Sequence, residues 1–150
     1  MGLIVAQILT GLANAAALFL VASGLSLIFG VTRIVNFSHG SFYMLGAYIG
    51  YSLLQIWTGA IGFWLAALLA AIAVGCIGVI VEICVLRRVY RAPELFQLVA
   101  TFGVVLVIQD LALITWGPED LLGPRAPGLE GVVRILEQPI PLYDLSLIHI

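Results

Sequence analysis

The sequence predicts an all-α fold, a polytopic bundle of transmembrane helices, and three observations carry that prediction. The 150 residues are 63% hydrophobic and only 9% charged, with a mean hydropathy of +1.19. Their apolar residues gather in runs that match the roughly 20 residues needed to cross a bilayer. The charges lie almost entirely between or after those runs. A soluble domain of this length has no core large enough to hide so much apolar surface.

The first run covers residues 3–29. It is longer than about 30 Å of hydrocarbon requires, which predicts tilt or a start at the interface. It also exceeds a signal-peptide core of about 7–15 residues and lacks a basic leader, so it reads as a retained span. Further spans are expected over residues 41–57, 61–86 and 95–116.

Orientation follows from the arginines. The chain has no lysine, and three of its six arginines are Arg87, Arg88 and Arg91, between the third and fourth spans. The positive-inside rule places that connection in the cytoplasm. Counting back, Arg33 lies toward the cytoplasmic side and the N-terminus outside. Trp57, Trp64 and Trp116 then mark the outer interface. The cluster is too small to indicate nucleic-acid binding.

After Trp116 the composition changes. Residues 117–144 hold five of the six prolines and five of the eight acidic residues. This segment reads as an extracytoplasmic loop in which 131–136 and 138–143 form two short strands. A loop of that length is usually functional or disordered. The apolar end that follows is too short to span anything, so the chain is expected to be the truncated N-terminal part of a larger protein.

Cys76 and Cys84 stand eight residues apart in one run, about 12 Å along a helix and too far for a disulfide. They read as small packing residues. Gly46 with Gly50, Gly75 with Gly78, and the alanines at 66, 67, 70, 71 and 73 recur at spacings that allow close helix packing in a bilayer.

The most informative stretch is 30–48, where Arg33, Asn36, Ser38 and His39 interrupt two apolar runs. Polar groups near membrane depth are costly unless they face protein, water or a solute path. Irregular backbone there is tolerated where it is buried or lines a cavity. Two readings stand side by side. In one, Asn36, Ser38 or Ser41 caps a helix junction and Gly40 relieves strain. In the other, the break belongs to a translocation path or gate.

Elsewhere, Asn14 reads as a contact between helices, and Gln109 with Asp110 as a helix contact, an interface pair or a path lining. Glu82, about one turn before Arg87, is expected to snorkel toward the inner interface. Ser38 beside His39 does not make a nucleophile and base, because adjacent helical residues do not face each other. No HExxH, GxSxG, P-loop or CxxC motif is present. The chain is therefore not read as an enzyme, and neither metal nor cofactor is expected.

The run 22–40, ending in Gly30-Val31-Thr32-Arg33-Ile34-Val35-Asn36-Phe37-Ser38-His39-Gly40 and continued by Phe42-Tyr43-Met44-Leu45-Gly46-Ala47-Tyr48, resembles the permeases of branched-chain amino-acid ABC transporters. Within that system it resembles the smaller of the two paired permeases. Leu98-Val99-Ala100-Thr101-Phe102-Gly103, with Gln109, Leu111, Ala112 and Trp116-Gly117, extends the resemblance, which reaches to about Asp144.

The resemblance implies a multi-pass inner-membrane subunit of an ATP-driven importer. Its partners would be a second permease, cytoplasmic ATPase subunits that carry all nucleotide chemistry, and an extracytoplasmic substrate-binding protein. It favours a path or gate role for Arg33, Asn36, Phe37 and His39, with Phe42 and Tyr43 lining the path. The main ATPase-coupling loop would lie in a second half that this chain lacks. A permease for urea or short amides, and a small non-transporting membrane scaffold, are the alternatives.

Overall fold

The computed structural model describes residues 1–149. Helix α1 runs Gly2–Thr32, α2 Ser38–Ile56 and α3 Gly59–Val81. A π turn over Glu82–Leu86 and the short α4 Arg87–Val89 extend α3, and α5 covers Glu94–Trp116. Strands β1 Val132–Ile135 and β2 Gln138–Pro141 precede α6 Leu142–His149. The all-helical polytopic architecture is therefore present, with one small hairpin added.

Three rods are long and apolar enough to cross a membrane: α1, the continuous stretch Gly59–Val89, and α5. Four spans are expected from sequence, and α2 is the one that falls short on composition. Its 19 residues suit a crossing in length, but Ser38, His39, Ser41, Ser52 and three tyrosines dilute its apolar character. The third rod is also longer than its expected bounds, because it begins at Gly59 and α4 carries it past Leu86.

The chain forms two compact units, one of residues 24–123 and one of residues 1–23 with 124–150. In the larger unit α2 packs on both α3 and α5. Leu45, Val104 and Ile108 form the buried centre, flanked by Phe42, Ile49, Val74, Ile77 and Val81. Small residues set the approach of α2 to α3. A Cβ on Gly46 would stand 3.6 Å from Val74 Cγ2, and one on Gly50 would stand 3.8 Å from the Ala70 Cβ. Ala66 and Ala70 are buried on the facing side.

Two close approaches pin the ends of this bundle. Gly62, in the first turn of α3, lies against the Trp57 carbonyl; a Cβ there would meet its carbon and oxygen at 2.9 Å. At the end of α5, the Trp116 indole N–H donates to Ser52 Oγ at 2.7 Å, and its ring stacks on Tyr48 with centroids 5.1 Å apart. Trp116 thus ties α5 to α2, whereas Trp57 and Trp64 are the exposed members of the expected belt.

In the smaller unit the two expected strands pair antiparallel, with Ile135 opposite Gln138 and Val132 opposite Pro141. Leu136 and Glu137 make the two-residue turn, and both have positive φ, at 50° and 67°. A two-residue hairpin needs that hand of turn, although Asn and Gly fill it at less cost. Ile140 is the buried residue of β2. The start of α1 abuts the turn, so that a Cβ on Gly2 would fall 2.5 Å from the Leu136 carbonyl oxygen. Residues 142 and 143, expected to end the second strand, instead open α6.

Candidate functional site

The site is built at the junction of α1 and α2. Helix α1 ends because Arg33 turns left-handed, with φ of 57°. Its N–H still donates to the Phe29 carbonyl at 2.8 Å, closing the last turn in the single-bond left-handed cap. Glycine usually holds that position, and a residue with a Cβ pays about 1 kcal/mol to be there. The strain at this junction therefore lies at Arg33. Gly40, expected to relieve it, is an ordinary residue in the first turn of α2. For comparison, α5 ends on Gly117 at φ of 83°.

Helix α2 then begins with Asn36 as the organising residue. Asn36 Oδ1 accepts from the Ser38 N–H at 3.1 Å and also from the Ser38 hydroxyl. The Asn36 carbonyl accepts from the His39 N–H at 3.3 Å. These bonds satisfy orphan donors of the helix start, the physical task of a cap. Phe37, immediately before the helix, makes no side-chain cap. Ser38 is fully buried.

Next to this junction lies a cavity of about 270 Å³. Ile28 and Thr32 of α1, Ile34 and Asn36 of the break, and His39 and Phe42 of α2 form one side. Gly78, Glu82, Leu86 and Tyr90 form the other. Gly24 makes room for His39: a Cβ there would stand 2.9 Å from the imidazole Nε2.

The π turn governs the second side. An ideal α-helix would set Glu82 and Tyr90 about 12 Å apart along its axis. The π turn shifts that register, the two long side chains span the remaining gap, and the Tyr90 hydroxyl donates directly to Glu82 Oε2. Arg87 Nε stands 4.0 Å from Glu82 Oε1. Burial pushes the Tyr90 phenol up to about 12, the hydrogen bond and charge of Glu82 add to this, and Arg87 opposes it. Tyr90 therefore remains a neutral donor at ordinary pH. Glu82, expected to snorkel, lines the cavity and reaches toward Arg87 and Tyr90 at the end of the rod.

The structure brings together three of the residues singled out from sequence, Asn36, His39 and Phe42. It does not bring the others to them. Arg33 and Phe37 are exposed beside the break, and Tyr43 is 61% exposed on α2. Asn14 is exposed in the portion of α1 that belongs to the smaller unit, and Gln109 and Asp110 are exposed on α5. Thr32, Glu82 and Tyr90 were not singled out as site residues. Glu82 and Tyr90 stand eight residues apart across a π turn and the end of the rod, and their pairing depends on side-chain reach that the sequence pattern does not show. Cys76 and Cys84 are both free, and among the described residues no group of His, Cys, Asp and Glu could hold a metal ion.

A bundle of apolar rods long enough to cross a bilayer, with a small mixed-polarity cavity at a broken helix, defines a polytopic membrane protein. The match to known proteins makes this specific. Residues 7–127 match the family model described as branched-chain amino acid transport system / permease component, and the chain belongs to that family. It is 28% identical over 126 residues to the high-affinity branched-chain amino acid transport system permease protein LivH of Escherichia coli K12, covering 79% of this chain and 40% of that protein. LivH of Salmonella typhimurium is 27% identical over the same shares. BraD of Pseudomonas aeruginosa is 26% identical over 116 residues, 73% of this chain and 38% of that protein. The chain thus spans about 40% of the length of the curated relatives it matches. No solved structure matches it significantly.

Proposed function

We propose that this chain is the N-terminal part of a permease subunit in an ATP-driven importer of branched-chain amino acids. The subunit crosses the inner membrane and works with a second permease, cytoplasmic ATPase subunits and an extracytoplasmic substrate-binding protein. ATP is hydrolysed on the ATPases, and this chain supplies part of the solute path. Asn36 and His39 shape an inner gate, with Phe42 on the wall of the path. The loop that follows α5 is the docking point for the binding protein. Arg87, Arg88 and Arg91 anchor the topology.

The observation that carries this reading is the cavity at the α1–α2 break, which lies within the residues matched to the permease family. The supporting physics is that a broken helix near a solute path leaves polar groups available exactly where lipid-facing helix would have none to offer. The test is uptake in a bacterial strain lacking its own branched-chain permeases. The full-length protein, with its ATPase and binding-protein partners, is expected to restore energy-dependent uptake of labelled leucine, isoleucine or valine. An assembled complex that moves none of the three overturns the reading.

A further inference from the structure

We propose that the cavity at the α1–α2 break is a subsite for a single zwitterionic amino acid, with the Glu82 carboxylate receiving its ammonium group. The inference rests on the transport reading above and names what the site would hold and how.

Size is the first argument. At about 270 Å³ the cavity is just below the range of about 300–1,000 Å³ typical of drug-sized ligands, so it suits one small solute. Polarity is the second. Ile28, Ile34, Phe42 and Leu86 provide apolar wall for a branched side chain, while Asn36, His39 and Glu82 supply polar groups around it.

The atoms that remain available also fit. Glu82 Oε2 is taken by the Tyr90 hydroxyl. Oε1 has Arg87 Nε at 4.0 Å, beyond hydrogen-bond reach, so it retains an acceptor position for a closer cation. Asn36 Oδ1 is occupied by Ser38, which leaves the amide NH2 as its available group, a donor. The His39 imidazole, lodged over Gly24, can offer a second donor. A carboxylate acceptor on the α3 side and donors on the α1–α2 side match the two ends of a zwitterion. Charge-assisted bonds of this kind are about twice as strong as neutral ones, so they select for a solute carrying both groups.

The π turn gives the arrangement its local cause. Single π turns inside α-helices are frequently found at functional sites. Here the turn begins at Glu82 itself and lets Tyr90 fix the carboxylate. Tyr90 is thus a positioning residue, acting through Glu82.

The experiment uses the purified full-length permease–ATPase complex in lipid nanodiscs, without the binding protein. Binding of labelled leucine is measured in competition with 4-methylpentanoate, which lacks the ammonium group, and with 3-methylbutylamine, which lacks the carboxylate. Wild type is expected to bind leucine at least tenfold more tightly than either analogue. Glu82→Gln should weaken leucine at least tenfold and leave 4-methylpentanoate unchanged. Tyr90→Phe should move leucine in the same direction by less.

Wild type that binds leucine no better than 4-methylpentanoate overturns the subsite, and so does wild type that fails to bind leucine. An assembled Glu82→Gln complex with unchanged leucine affinity, or with both ligands weakened in proportion, does the same. The wild-type comparison stands even if that variant does not assemble. Transport is read separately in proteoliposomes supplied with the binding protein. Leucine uptake without analogue discrimination defeats the subsite alone, whereas absence of uptake defeats the transport reading.

Discussion

Helices α2 and α3 lie against each other yet are opposite in kind. The rod containing α3 is the most apolar of the candidate spans and is largely exposed, with Ile61, Trp64, Leu68, Ile72 and Val79 outside. Helix α2 carries the serines, tyrosines and histidine, and most of its residues are at least half-buried against α3 and α5. In a bilayer, lipid is as apolar as leucine, so strong hydropathy reports contact with lipid. Small and hydroxyl-bearing residues report contact with protein. The least hydrophobic of the four long helices is therefore the one around which the larger unit is packed.

The sharpest way to break this contrast is to remove the same side chain from each helix. Leu45→Ala should destabilise the protein by about 2–4 kcal/mol, because Leu45 is buried between α2 and α5. Leu68→Ala, at a side chain on α3 that is 58% exposed, should change stability little. Unfolding in mixed micelles measures both, and equal losses would undo the contrast.

Gly62→Val comes next, at about 1–3 kcal/mol, because its Cβ would strike the Trp57 backbone at 2.9 Å. Gly75→Val, where nothing lies within 4 Å of the added Cβ, should be far milder. Trp116→Phe keeps an aromatic ring against Tyr48 but loses the bond to Ser52, for about 1 kcal/mol. The loss should vanish in a Ser52→Ala background, which a double-mutant cycle would show. At the junction the sign reverses: Arg33→Gly should stabilise by up to about 1 kcal/mol by relieving the left-handed Cβ.

The smallest effect is a pH dependence. The Tyr90 phenol is raised from 10.0 to about 12, so its contribution to stability is complete below pH 10.0 and is lost as pH climbs through about 12. The stability difference between wild type and Tyr90→Phe should shrink across that window. Absorbance at 295 nm should show one late-titrating tyrosine disappear in the variant.

Much of this was legible in the residues. The small residues at 46, 50, 66 and 70 mark the α2–α3 contact, because their spacing is helical and close backbone approach has few other causes. The break around Asn36 was legible because polar residues cluster there against an apolar background. Gly40 misled, since glycine suggests a left-handed turn that Arg33 in fact makes. Four crossings were expected where three helices meet the length and apolarity of a span, because α2 trades apolar residues for protein contact.

By itself the sequence determined the membrane setting, the helical class, the position of the break and the family. Each of these rests on composition or on residues adjacent in the chain. Only the tertiary structure decided that α2 is packed between α3 and α5, that Glu82 and Tyr90 meet, and that they share a cavity with Asn36 and His39. Those outcomes depend on a π turn and on helix ends brought together across more than forty residues. A change in backbone hydrogen bonding of one residue per turn leaves no periodic trace in side-chain pattern, and long-range approach is set by packing between helices.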